Sequence, residues 1–513
     1  AEFDYNDAND NGHFGYENDA GDVVLKIMNN SHDVLLSSTL SAAADLNYEQ
    51  DDDPNTPNNI YSQTGNAWEL YNTLSSNWLL NEEDHYLSRT QLIDGDEVAL
   101  EMDWEVGDPN DLQLQLGYML DGDDNRTFQE KAFRAIDNQH ISDNSGAPAN
   151  AGTAAFDYDN RLTAEVETDY ENLWVKTEED VAGWTQGTGV KGEDGMYAIT
   201  LQDMKGVPLG DAKWDEFMDQ FTWDELTALV TSGSFSTAAV GSVDKPATED
   251  NDGPNQLKNG DLADGTQVAG WGWVGAPVIA STWNAELAYE QGRAVGNESL
   301  WMNVNGWYGP AMNTHRNPLA GRNFEYYSQD GVQGGIIASN VVKGATEMGM
   351  HPYIKHIFLN DQETSRMGTM TFATEQAIRQ IYAKVFELCI TDGNGNGTMS
   401  AFNHIGLASS VSYATNIQLY ENEWGMDGVS VTDMYSEDTP AWNGDNIVRG
   451  HTIPLGRSTA FTKGEWKDNM VYVEGEASPT QWFWTRDTAQ RIFYVIGNGN
   501  EMDNGLPQQL PTF

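Results

Sequence analysis

Apolar positions in the first 50 residues fall in short runs, such as Val23-Val24-Leu25-Lys26-Ile27-Met28, separated by clusters of Asp, Asn and Gly. That alternation predicts the strands and turns of a small β module over residues 1–50. Asp7, Asn9, Asn11 and Gly12 mimic the first half of a calcium loop. The twelfth position is Asn18 rather than a bidentate Glu, so the segment reads as a hairpin turn. Residues 51–60 have the Asp/Pro/Asn composition of a linker. From there to about 210 the pattern is weak and β-rich, with strands expected at 97–104, 112–119 and 196–201, a polar loop at 144–153, and no defined fold.

The texture changes near residue 211. Trp214, Phe217, Phe221, Leu226 and Leu229-Val230 recur at helical spacing, and Thr222 stands where it would cap a second helix ahead of Asp224-Glu225. Short apolar runs then alternate with helical stretches. Strands are expected at 275–281, 303–308, 353–359, 397–402 and 428–431, and helices at 285–296, 332–348 and 371–388. Repeated strand–helix units over residues 211–513 predict a parallel (β/α)8-type barrel, with function at the carboxyl ends of its strands. The fold class is therefore α/β, a barrel domain preceded by a β-rich N-terminal region.

Composition narrows the partners. Eighty Asp and Glu against 26 Lys and Arg give a net charge of −54. Such a surface repels nucleic acid, anionic membranes and acidic polysaccharides, and is indifferent to a neutral sugar. It fits adaptation to high salt or simply a soluble acidic surface. Cys389 is the sole cysteine, so an intrachain disulfide and a cysteine-rich metal centre are both excluded. It falls near a helix end and reads as a buried structural thiol. No apolar run approaches a membrane span, and no signal peptide opens the chain, which leaves the cytoplasm and secretion both open.

Against this background an ordered set of polar residues stands out. Gly321-Arg322-Asn323-Phe324-Glu325 offers a guanidinium with room to fork onto hydroxyls, or onto Glu325 three residues on. Lys355-His356 ends an apolar run. Successive strand side chains face opposite ways, so both can enter one site only if the strand distorts; otherwise they are a surface lysine and a satisfied histidine. Asp433 closes Gly428-Val429-Ser430-Val431-Thr432-Asp433, where a catalytic nucleophile or a helix N-cap would sit. Asp252-Gly253-Pro254 is a turn by composition, and its Asp could accept from vicinal hydroxyls. Fixed donors with one anionic nucleophile are what attack at an anomeric carbon requires. Trp271, Trp273, Trp307 and Tyr308 lie close enough to strand ends for one or two to stack on sugar rings, although Trp in this half is mostly core.

Taken in order, Lys245-Pro246-Ala247, Asp252-Gly253-Pro254, Gly309 to Pro318, Gly321 to Tyr326, Ile354-Lys355-His356, Asn360-Asp361-Gln362-Glu363-Thr364 and Thr432-Asp433-Met434 resemble the barrel domain of the family 3 glycoside hydrolases, the β-glucosidase and β-xylosidase family. The resemblance covers about residues 211–505. It implies that Asp433 is the nucleophile, that Asp252 grips the outer hydroxyls of the bound sugar, and that Arg322, Lys355 and His356 complete that subsite. It implies a β-glucoside substrate and no metal or organic cofactor. Residues 1–50 look like the last strands of the fibronectin-like module found in rearranged family members, in which the barrel comes last.

Two residues depart from the family pattern. Met434 replaces the usual Trp after the nucleophile, with an effect expected on aglycone preference. Phe402 replaces a common Tyr, which would loosen hydrogen bonding to the nucleophile. The general acid is not identifiable. In most of the family it is a Glu on a separate α/β sandwich, and residues 1–210 do not read as one, so a further domain or chain would have to supply it. The alternative is a non-catalytic carbohydrate-binding or structural protein that keeps the sugar subsite. Phosphorolysis, or N-acetylglucosaminide cleavage with a histidine acid, would need an Asp–His loop motif that is not found here.

Overall fold

In the computed structural model the chain is described over residues 2–4, 15–18, 20–30, 32–44 and 46–47, over 176–434 except 232, 234, 259, 262–265, 364–365, 367–369, 372–376, 406–407 and 411–415, and at 452–453, 455 and 479–503. The expected linker at 51–60, the strands at 97–104 and 112–119, the loop at 144–153 and most of the calcium-like segment lie outside these residues.

The N-terminal residues are β as expected. Strands β1 (Glu2–Asp4), β2 (Gly15–Asn18) and β5 (Leu46–Asn47) form an antiparallel sheet in the order β1-β2-β5. Strands β3 (Gly21–Asn30) and β4 (Asp33–Ala42) form a long hairpin, in which Val23 pairs with Leu40 and Ile27 with Leu36.

The larger unit is a six-stranded, wholly parallel sheet: β6 (Asp250–Asp252), β7 (Gly306–Tyr308), β8 (His351–Ile357), β9 (Gly397–Ser400), β10 (Val429–Val431) and β11 (Thr452–Ile453). Neighbours in the sheet are neighbours in sequence, so each crossover advances one strand in the same direction. Strand β8 is buried along its whole length, as a parallel strand covered on both faces must be.

Helices α1 (Lys213–Met218) and α2 (Trp223–Val230) carry the apolar spacing read from the sequence. Thr222 caps α2 through a reciprocal box with Glu225. Helix α3 (Ala276–Ala280) falls where a strand was expected, because Pro277 at the helix start and the following turn favour helix over an extended run. Helix α4 (Ala285–Met302) is capped by Asn284, and α5 (Gly331–Thr346) by Asp330, which accepts from the N–H groups of Val332 and Gln333. These two pack closely at glycines. A Cβ on Gly292 would lie 2.0 Å from the Val341 carbonyl oxygen, and one on Gly344 would lie 2.3 Å from that of Tyr289. Of the helix expected at 371–388, Thr371 lies in a short strand, Met370–Thr371, and residues 372–376 lie outside the described residues; the rest is helical, as a π-helix at Ile378–Tyr382 followed by helix α6 (Lys384–Thr391), with Cys389 fully buried on the latter.

Helix α7 (Pro479–Asn498) returns to pack on α2. The segment expected as a strand at 196–201 is a turn leading into a short 3-10 helix, Leu201–Met204, which also packs on α7. Residues 176–210 thus join the same core: Lys176 meets Thr480, and Trp184 stacks on Phe483. Buried Arg486 on α7 reaches Asp219 at 2.8 Å and lies 4.9 Å from the Trp184 ring.

Candidate active site

The five candidate site residues sit at or just beyond the carboxyl ends of the parallel strands. Asp252 ends β6, Arg322 lies in the loop after β7, Lys355 and His356 are at the end of β8, and Asp433 follows β10. Thr432 fixes that last approach, donating its N–H to the Ile453 carbonyl and accepting from Leu455 N at its hydroxyl.

Lys355 and His356 are both buried, and both reach the site. The β8–β9 ladder slips between Lys355 and Ile357, so regular strand alternation does not hold there. Asn313 clamps the segment. Its amide accepts from His356 N at 2.8 Å and donates to His356 O at 2.6 Å.

Lys355 Nζ donates to Asp252 Oδ1 at 2.7 Å, and Lys258 holds the other carboxylate oxygen. Burial pushes Asp252 up, but Lys355 and Lys258 overrule it and hold its carboxyl well below the usual carboxylate range. His356 Nε2 lies 3.4 Å from Asp433 Oδ2. Burial, and then the charges of Arg322, Lys355 and Arg366, push the imidazole well below its ordinary value, so it is neutral. With the proton on Nε2, facing the carboxylate, Nδ1 is left as an acceptor; it is buried and has no hydrogen-bond partner among the described residues.

Burial raises the pKa of Asp433. Lys355, the Met434 N–H at 2.7 Å, Arg366 and Arg322 oppose that rise. A carboxylate kept short of solvent, yet facing cations and one neutral imidazole, is poorly hydrated, and once ionised that suits a nucleophile. Burial works against the charge of Arg322, but Tyr326, Glu325 and Glu363 more than offset it. Glu325 is its direct ion-pair partner, as the spacing allowed.

Several contributors carried no sequence signal of their own. Lys258 on Asp252, Asn313 on His356, and Arg366 beside Asp433 belong to none of the single-residue arguments. Arg366 pairs with Glu363 at 2.8 Å and lies 4.2 Å from the Phe402 ring, so Phe402 serves as a cation platform. Of the four aromatics considered for stacking, Trp307 and Tyr308 are core residues, Trp273 is part-buried, and Trp271 is 75% exposed. Among the described residues no group of three or more His, Cys, Asp or Glu could hold a metal, and no helix is long and apolar enough to cross a membrane.

Fold and site define an α/β protein whose polar centre lies at the carboxyl edge of a parallel sheet. Residues 272–440 match the glycosyl hydrolase family 3 N-terminal domain. The chain is 33% identical over 223 residues to a probable β-glucosidase I of Aspergillus clavatus, covering 43% of this chain and 26% of that protein. It is 32% identical over 250 residues to β-glucosidase A of Butyrivibrio fibrisolvens, covering 47% and 29%. Among solved structures, β-glucosidase 3B of Thermotoga neapolitana, in complex with α-D-glucose, superposes with a TM-score of 0.51 at 28% identity, over 58% of this chain and 44% of that one. The chain thus spans less than a third of the length of these two curated relatives.

Proposed function

We propose that this chain carries the nucleophile and the sugar subsite of a retaining β-glycosidase acting on terminal, non-reducing β-D-glucosyl residues. The observation that carries this reading is that Lys355 and His356, side by side on β8, reach Asp252 on β6 at 2.7 Å and Asp433 after β10 at 3.4 Å. The relatives' names supply the glucoside. In the first step an Asp433 oxygen bonds to the anomeric carbon, the glycosidic C–O bond breaks, and its electron pair leaves on the aglycone oxygen, which takes a proton from a general acid. In the second, water displaces Asp433 and restores the carboxylate with retention. Asp252, Arg322, Lys355 and His356 hold the glucosyl hydroxyls, and no cofactor or metal takes part.

The same reading makes the six-stranded sheet part of a (β/α)8-type barrel over residues 211–513, on whose core residues 176–210 pack, with residues 1–50 a fibronectin-like remnant. The general acid comes from a further domain or chain. The carboxylates near Asp433 argue for this. Asp252, Glu325 and Glu363 are each engaged by a cation, and a group held in that way is a poor proton donor. That same observation favours the second reading, a carbohydrate-binding protein that keeps the subsite without turnover.

The test is incubation with 2,4-dinitrophenyl 2-deoxy-2-fluoro-β-glucoside, followed by peptide mapping by mass spectrometry. This leaving group departs without an acid, so the nucleophile is read alone. A fluoroglucosyl ester on Asp433 supports the glycosidase. Glucose binding without label supports the binding protein, and the absence of both label and binding removes both readings.

A further inference from the structure

The outer wall of the helical layer is apolar at one end. On α5 the outward positions run Val332, Ile336, Asn340 and Lys343, so the stripe is aliphatic at its start and polar towards its end. Val278 on α3 and Leu287 on α4 extend the aliphatic part, and each of these four apolar residues is 47–58% exposed. Trp283, in the turn between α3 and α4, is 78% exposed and holds a left-handed backbone, φ 54°, which bulky residues seldom adopt.

Two hydrogen bonds join these elements into one surface. The Ala280 carbonyl accepts from Trp283 N at 3.1 Å and from Gln333 Nε2 at 2.8 Å. Gln333 adjoins Val332 and lies one turn before Ile336, on the same side of α5. The outward side of a surface helix is ordinarily polar, and a contiguous apolar area there marks an interaction site. With a polar rim added, five such side chains offer on the order of several hundred Å² a copy, near the ~800 Å² a partner that a stable interface covers.

The charges at the ends of the stripe decide what it fits. Asp330, the N-cap of α5, is exposed before Val332, and Lys343 is exposed at the far end, roughly 20 Å away at 1.5 Å per residue. A second copy laid antiparallel about Ile336 sets Asp330 against the partner's Lys343, and Lys343 against the partner's Asp330. The aliphatic positions then meet between the two pairs. Such reciprocity is what a two-fold interface requires.

We infer that α5, with Trp283 and Val278 beside it, is the two-fold interface of a homodimer, and that Trp283 is its anchor. Two chains of net charge −54 repel at long range, and that repulsion outweighs two ion pairs at the rim. Association is therefore weak in dilute salt. It tightens as the Debye length falls from about 10 Å at 0.1 M to about 3 Å at 1 M. The inference is independent of the glucoside reading.

The experiment is sedimentation equilibrium of the full chain in about 0.1 M and about 1 M sodium chloride, with melting temperatures in the dilute salt. Wild type is expected mainly as monomer in the first and as dimer in the second. Ile336→Lys sets a charge on the two-fold axis and should leave a monomer in both, with its melting temperature unchanged. Trp283→Ala should weaken the dimer at least about tenfold. Lys343→Glu, at an exposed position of the single chain, should weaken it as well, and keeps the test open if another variant fails to fold. A wild type that is monomeric in both salts, or a dimer that persists in all three variants, would overturn the interface. An Ile336→Lys variant that melts well below wild type in dilute salt would show that the chain covers this surface itself, and would overturn it too.

Discussion

Lys355 and Asp252 are joined at 2.7 Å, Nζ to Oδ1, across the ends of β8 and β6, with β7 between them. The pair ties two non-adjacent strands at the rim and sets the charge on Asp252. Lys355→Met should leave Asp252 with Lys258, whose own side chain is 59% exposed. A half-screened remaining partner limits the loss of stability to about 1–3 kcal/mol. Glucose affinity should fall more steeply, and the acid limb of stability should become shallower, with the variant furthest below wild type near pH 7. The depressed Asp252 contributes stability that is present above the unfolded carboxylate value and lost as pH falls through its folded value. Urea titrations at pH 3 to 7 would show this as the mutant losing stability at the less acidic end; superimposable profiles would refute it.

Asp433 behaves in the opposite sense. Burial makes the folded protein hold its proton more tightly than the unfolded chain does. Its ionisation therefore opposes folding, increasingly as pH rises from the unfolded value through the folded one. Asp433→Asn should abolish labelling by the fluoroglucoside and, at pH 7, equal or exceed wild-type stability by up to about 1 kcal/mol. A variant that is clearly less stable would mean that the carboxylate's contacts with Lys355, Arg366 and Arg322 outweigh its desolvation.

At the opposite, amino ends of the strands lies a second charged group. His351 Nε2 meets Glu501 Oε1 at 2.7 Å, both buried, beside Asp250. Burial pushes Asp250 up to about 6. His351 is also raised, because Glu501 and Asp250 outweigh the effect of burial. Both groups hold protons more tightly when folded, so their contribution is full below the unfolded values and declines as pH rises through about 6 and then through the raised His351 value. Melting temperature should decline across that window in wild type, and the decline should flatten in Glu501→Gln. An equally steep decline in the variant would place the pH sensitivity elsewhere, in the general charge of the surface.

The α4–α5 crossing gives a prediction free of charge. Gly292→Ala and Gly344→Ala each set a methyl carbon about 2 Å from a facing carbonyl oxygen. Helix propensity favours alanine by about 1 kcal/mol, but the clash separates the helices and should cost about 3 kcal/mol net. Chemical denaturation would read this directly. Gly241→Ala, with open space at its Cβ, serves as the control.

Arg322, Lys355, His356 and Asp433 were legible because each follows a glycine or lies at the end of an apolar run, Asp252 because it opens an Asp-Gly-Pro turn, and all five because their order resembles one family. What the sequence could not supply was distance. Lys258 and Arg366 act on Asp252 and Asp433 from loops whose composition is unremarkable. Strict alternation put Lys355 and His356 on opposite faces, and only the slipped ladder brings them together. The run at 275–281 shows the limit of periodicity. Five apolar residues fit a buried strand or a short helix equally well, and Pro277 with the Ser281 turn decides for helix. By contrast, Thr222 capping α2 needed no tertiary information, since a capping box is local.

The sequential strand order has a further consequence. Asp252, Arg322, His356 and Asp433 are far apart along the chain and meet only after β6 to β10 have all paired. No fragment short of that brings the four together, so on the proposed function saccharide affinity is a direct gauge of long-range chain closure. A sugar added during refolding should leave early species untouched and hold only the last one, guarding the finished sheet against proteolysis while offering nothing to its precursors.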